Sequence, residues 1–166
     1  MAKSDSFFIR ASIATNGTTF ATTSIDLGAY VDALGKSVLR VHNLAVQYGS
    51  PTGSVGVAGP SATASTSFQI TTQSQTDMQD ADDKSVVASG RLIGASDAAA
   101  NLQMLTDTLD VAPQHWTNGY LVGVEQIYLA TDSVGNALVD DVSVVMECTV
   151  ETLNSSAAMA LALSQQ

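Results

Sequence analysis

The run DVSVVMECTVETL, Asp141 to Leu153, constrains this chain most. Val142, Val144, Met146, Cys148 and Val150 fall on one side of an extended backbone, and Ser143, Glu147, Thr149 and Glu151 on the other, with Val145 the exception. Alternation with a period of two marks a half-buried strand. A strand with one apolar face needs a second layer over it, so the chain must build a sandwich, a barrel or a helix-covered sheet.

At 166 residues the chain reads as one domain over 1–166, a size that buries roughly 70% of the surface its unfolded form exposes and folds without staples. The lone cysteine, Cys148, lies on the inward side of the strand and reads as a small buried hydrophobe. Charge narrows the function. Six Lys and Arg against sixteen Asp and Glu give a formal net charge of −10, which repels phosphate backbones and anionic membranes and argues against direct nucleic-acid binding. Charged residues make up 13% of the chain, about half the ~25% usual for soluble domains. Its polar surface must come from Ser, Thr, Gln, Asn and Gly, which pack against a copy of themselves at little desolvation cost. Arg10 interrupts the N-terminal apolar pattern, so no signal peptide is expected there, and no apolar run reaches the ~18 residues of a membrane span. Synthesis in the cytoplasm follows, and the glycosylation patterns at Asn16 and Asn154 read as chance.

Taken in order, Phe7 to Ala14 alternates and predicts a first strand. Asn16-Gly17 suits a two-residue turn, which makes Thr18 to Ser24 the expected hairpin partner. In Ile25 to Gly35 the period changes, with Leu27, Tyr30, Val31 and Leu34 at helical spacing, Asp26 as cap and Gly35 as terminator. Ser37 to Tyr48 is the next strand. Gly49 to Ser65 concentrates Gly, Pro, Ser and Ala as a functional loop. Thr66 to Gln73 and Ser85 to Ile93 are strands, the second broken by Ser89-Gly90. Ser96 to Leu105 predicts a helix capped by Ser96. Thr106 to Asn118 connects to a turn at Asn118-Gly119, and Tyr120 to Thr131 forms one long strand. Ser155 to Leu163 fits either a short helix or a last strand.

Candidate sites are few. Asp77, Asp80, Asp82 and Asp83 cluster before Lys84, but without the spacing and distal Glu of a calcium loop, so a solvated acidic loop is the simpler reading. If that loop does take a cation, a site shared between neighbouring copies fits better than a catalytic one. The two histidines, His42 in a strand and His115 beside Trp116, have no serine and acid at a spacing that defines a triad. Trp116 reads as a core or interface anchor. There is no zinc constellation and no phosphate-binding loop, so the chain predicts no catalytic, metal or cofactor residue.

Seven or eight short strands with two short helices predict a mainly β, antiparallel two-sheet sandwich of the single jelly-roll kind. The hairpin FFIRASIATNGTTF, the insert IDLGAYVDALG, the long strands SVLRVHNLAVQY and YLVGVEQIYLAT and the closing DVSVVMECTVETL together resemble the small single jelly-roll coat proteins of icosahedral viruses. The resemblance implies a non-enzymatic major capsid protein, many copies of which assemble into the shell of a virion, with other virion proteins as possible partners. Many such coat proteins carry a basic N-terminal arm that neutralises the genome, whereas here only Lys3 and Arg10 are available. Another protein or an internal membrane would then stand between shell and genome, as in a DNA virus of bacteria or archaea. The alternative is a phage decoration or tail-associated module, or a carbohydrate-binding sandwich using the 49–65 loop and Trp116. A third, an enzyme, would need His42 or His115 in a pocket.

Overall fold

The computed structural model describes residues 4–32, 36–53, 56, 59–106 and 114–165. They form nine strands and one helix: β1 Phe7–Ala14, β2 Ala21–Asp26, β3 Ser37–Tyr48, β4 Thr63–Thr71, β5 Val86–Ser96, β6 Leu102–Met104, β7 Gln114–Val122, β8 Gln126–Val134, β9 Asp141–Thr152 and α1 Ser155–Ser164. One sheet has the order β1-β9-β3-β7 and the other β2-β8-β4-β5-β6. Setting aside the short edge strand β6, the antiparallel partners nest: first with last (β1–β9), second with second-last (β2–β8), third with third-last (β3–β7), and β4 with β5 at the centre. That nesting is the jelly roll. The expected fold class therefore holds, although the helices differ.

β9, the strand most legible in the sequence, lies inside its sheet, paired with β1 on one side and β3 on the other. Its Val142, Val144, Met146 and Cys148 are fully buried. They share one core with Leu39, Val41 and Leu44 of β3, Phe68 and Ile70 of β4, and Ile127 and Leu129 of β8. Opposite the Phe68 ring in β4 stands Gly90 of β5. The glycine is paired within the ladder rather than breaking the strand, and β5 runs unbroken from Val86 to Ser96.

Several local expectations are corrected. The Asn16-Gly17 turn forms, with Gly17 at φ 58° and the Thr19 N–H donated to the Asn16 carbonyl at 3.0 Å. Yet the flanking strands are not hairpin partners: β1 pairs with β9 in one sheet and β2 with β8 in the other. A turn dictates only its own residues, and longer edges elsewhere won both strands. No helix is seen in the described part of 25–35. Ile25 and Asp26 end β2, and the Asp26 carboxylate accepts the Gly28 N–H at 2.8 Å. The helical spacing of Leu27 and Val31 is met within a single turn, both side chains buried and the Val31 N–H bonded to the Leu27 carbonyl at 2.9 Å. Leu34 and Gly35 lie outside the described residues.

The expected helix over 96–105 is a tight turn between β5 and β6. The Asp97 carboxylate accepts the N–H groups of Ala99 and Asn101 at 2.8 and 2.9 Å, and Ala100 takes φ 63°. A short acidic side chain that competes for nearby N–H groups outweighs the few tenths of a kcal/mol that each alanine adds to a helix. Asn118-Gly119 is not a turn but part of a bulge in β7: Val41 faces Tyr120 while Asn43 already faces His115. The expected single strand 120–131 splits at Gly123. Its inward residues switch from Tyr120 and Val122 to Ile127 and Leu129, and the chain crosses from one sheet to the other. Bulky residues on both faces of that stretch record this change of phase. Thr63 to Ser65, assigned to the loop, begin β4. The last stretch is the helix α1, whose cap is Asn154: its side chain accepts the Ala157 N–H at 2.8 Å. Among the described residues no helix is long and apolar enough to cross a membrane.

Two glycines test this backbone. Gly135 has φ 79°, and a Cβ there would collide with the Thr63 carbonyl, whereas a Cβ at Gly17 meets nothing. Gly135→Ala should therefore lower the unfolding free energy by about 2–3 kcal/mol and Gly17→Ala by only about 1 kcal/mol, read from urea denaturation midpoints.

Candidate functional site

On the outer face of the β1-β9-β3-β7 sheet, the polar residues of β9 meet a row from β3. Arg40 donates from Nε and Nη2 to the two oxygens of Glu151, both at 2.7 Å, and from Nη1 to the Asn118 carbonyl. These bonds raise the Arg40 pKa, chiefly through the hydrogen bonding to Glu151, against the opposing effect of burial. His42, the bulged residue of β3, meets the Thr149 hydroxyl at 2.9 Å, and Asn43 donates to Glu147 at 2.5 Å. Thr149 is buried, so the hydroxyl paired with His42 is out of a substrate's reach. His115 is exposed in β7, beside the Asn43 position. The row is a ladder that ties two strands together.

Two carboxylates of the acidic loop bond to groups close by in the chain. Asp77 accepts the Met78 N–H at 2.8 Å, while Asp83 accepts both the Ser85 hydroxyl and its N–H, at 2.6 and 2.8 Å. The Ser85 bonds, hydroxyl first, hold the Asp83 carboxyl below the usual range. The loop is pinned to β4 by buried Gln69, which donates to the Gln79 carbonyl at 2.8 Å and accepts the Gln79 N–H at 3.0 Å. Among the described residues no three His, Cys, Asp or Glu side chains converge as metal ligands.

Trp116 is half-buried against the core, its ring 6.0 Å from that of Tyr120. Cys148 is fully buried, and burial, with the neighbouring Glu147 charge, pushes its thiol up to about 12. A hollow of about 570 Å³ beside Thr72, Gln73, Glu125 and Tyr128, and one of about 500 Å³ beside Arg40, Lys84, Tyr120 and Leu161, are open depressions rather than enclosed clefts.

One residue that sequence reasoning passed over joins the two sheets. Gln165, just beyond α1, is buried; its carbonyl accepts from the Thr72 hydroxyl at 2.9 Å, its Oε1 accepts the Gly123 N–H at 2.8 Å, and its Nε2 donates to the Leu121 carbonyl at 2.7 Å. A glutamine near the end of a sequence carries no signal of such a role. The other unforeseen feature is exposed apolar surface: Val134 is 69% exposed, Leu163 65%, Leu105 58%, Phe8 53% and Met159 51%.

No family model and no curated protein match the chain in sequence. Solved structures with a similar course include Desmodium yellow mottle tymovirus (12% identity, 89% of this chain and 86% of that one, TM-score 0.37). Another is VP1 of the trichodysplasia spinulosa-associated polyomavirus, in complex with sialylated glycooligomers (9%, 81% and 79%, TM-score 0.42). A third is dimeric latent PorU of Porphyromonas gingivalis (10%, 86% of this chain but 13% of that one, TM-score 0.34). At these scores the likeness is distant, and the jelly-roll assignment rests on the strand pairing.

Two outcomes follow. Cys148 should react with a thiol reagent at pH 8 only as fast as the chain unfolds, because neither access nor thiolate is available in the folded state. Arg40→Met, which removes the two-pronged partner of a buried carboxylate, should cost about 3 kcal/mol, and adding Glu151→Leu should restore most of it in a denaturation double-mutant cycle.

Proposed function

We propose that this chain is a structural protein whose function is assembly: a non-enzymatic, jelly-roll coat subunit, many copies of which tile the shell of a virion. The observation that carries the reading is the conjunction of a closed, well-packed jelly roll with large apolar side chains left on its outside. A chain that has buried its core has no internal use for exposed Val134, Leu163, Leu105 and Met159, and such side chains mark contact surfaces. Neutral hydroxyl and amide groups around them resist association less than a Lys- and Glu-rich surface would.

With net charge −10 the subunit does not neutralise a genome itself, so a second protein or an internal membrane lies between shell and nucleic acid. The icosahedral form of the shell and a bacterial or archaeal host belong to the same proposal. A glycan-binding module finds less support, because the one tryptophan packs half-buried against the core rather than offering a flat exposed ring.

The test is light scattering on size-exclusion fractions, with negative-stain microscopy of the same fractions, each with and without calcium. Rings, sheets or closed shells are expected. A monomer at every protein, salt and divalent-ion concentration would reject the assembly role.

A further inference from the structure

Two exposed apolar features lie at opposite ends of the sandwich, and they differ in shape. The first is a ridge. Met159 and Leu163 of α1, four residues apart and so on one helix face, point away from Ala158 and Ala162, which are buried. The whole helix, SSAAMALALS, carries no ionisable side chain.

The second is a shallow hollow on the outer face of the five-stranded sheet. Val134 of β8 and Ile93 of β5 both stand directly opposite Ser65 of β4. Directly opposed residues point the same way, and Ser65 points outward because its neighbours Ala64 and Thr66 are buried. Leu105 continues the row, its N–H bonded to the Ile93 carbonyl at 2.9 Å. The hollow beside Val134 and Ile93 measures about 120 Å³, the size class of one aliphatic side chain, since an apolar cavity of about 150 Å³ holds a benzene. One row further along the sheet, Asp132 and Arg91 stand opposite Ser67, giving the hollow a charged rim on that side.

We propose that the ridge of one copy seats in the hollow of the next, a head-to-tail contact that propagates the assembly; this rests on the assembly reading above. Three arguments select a second copy as the occupant. In a chain of net charge −10, any two copies repel, and contact is cheapest where both surfaces are neutral, which holds for an uncharged helix against a Val, Ser and Ile row. The shapes fit as convex to concave, whereas a helix ridge against its own copy would place ridge on ridge.

The third argument is position. α1 is held through Gln165 at Thr72, just past β4, while the hollow sits at Ser65, near the start of β4, about 23 Å away at roughly 3.3 Å per residue. A contact between different surfaces at opposite ends does not close as a dimer but runs on into a ring or lattice. Its area is small beside the ~800 Å² per partner of a stable pair, so the assembly depends on this contact being repeated from copy to copy.

The experiment compares the wild type with Met159→Glu/Leu163→Glu (ridge variant) and Val134→Glu (hollow variant), all at exposed positions, with unchanged circular dichroism and melting temperature as the control for folding. Sedimentation should show each variant alone losing large assemblies, its association weakened at least about tenfold. Mixed in equal amounts, the two should form dimers and stop, because only the intact ridge of one and the intact hollow of the other can meet. Assembly by the hollow variant alone, or no dimer in the mixture, would overturn the head-to-tail contact while leaving the assembly reading intact. A wild type that stays monomeric would overturn both.

Discussion

Everything in this structure depends on covering the inward face of β9. Val142, Val144, Met146 and Cys148 form a continuous apolar strip in the middle of a sheet, and such a strip is stable only beneath a second layer that excludes water. Phe68, Ile70, Ile127 and Leu129 supply that layer from β4 and β8. β9 lies interior to its sheet between β1 and β3, which sets the first strand beside the last, and the remaining pairs nest inside. The roll thus places the strand that carries this continuous buried strip where both of its edges are used.

The ends of the chain are tied into that arrangement by polar rather than apolar contacts. The Ser4 N–H is bonded to the Val150 carbonyl at 3.0 Å, fixing the N-terminal side to β9. Gln165 bonds to Thr72, Gly123 and Leu121, joining the end of β4 to the place where the chain switches sheets. A buried side chain that meets partners as fully as Gln165 does specifies one arrangement, since any alternative would leave it unpaired. Arg40 and Glu151 do the same for β3 and β9 on the outer face. These contacts leave α1 fixed on one side and its Met159 and Leu163 edge outward, which is why the apolar surplus appears as a ridge rather than a collapsed tail.

Much of the fold was legible from alternation alone. Phe7 to Ala14 and Asp141 to Thr152 are strands with the inward residues expected of them, because a period of two directly encodes which side faces the core. Ser37 to Tyr48 is also a strand, but the bulge at His42 shifts its phase, so that Leu44 rather than Ala45 joins Leu39 and Val41 at the core. Helical spacing was a weaker guide. Leu27 and Val31 are buried together as their spacing implies, yet one turn was enough to do it, and at Ser96 to Leu105 the Asp97 carboxylate captured the backbone before a helix could form. The acidic run at 77–83 and the two histidines drew attention through residue type, but in the structure Asp77 and Asp83 bond to nearby backbone and His42 is one rung of a strand ladder.

By itself, then, the sequence determined the strand-rich character of the chain, the inward faces of β1 and β9, the acidic and sparsely charged surface and the position of the Asn16-Gly17 turn. Only the tertiary structure decided which strands are partners, that β1 and β2 part into different sheets, that 120–131 crosses between them, and where the apolar surplus emerges. The reason is physical: side-chain periodicity is a local property written residue by residue, whereas the edges of a strand are the same N–H and C=O groups everywhere. The choice among edges is made by how much apolar surface the whole arrangement can cover at once.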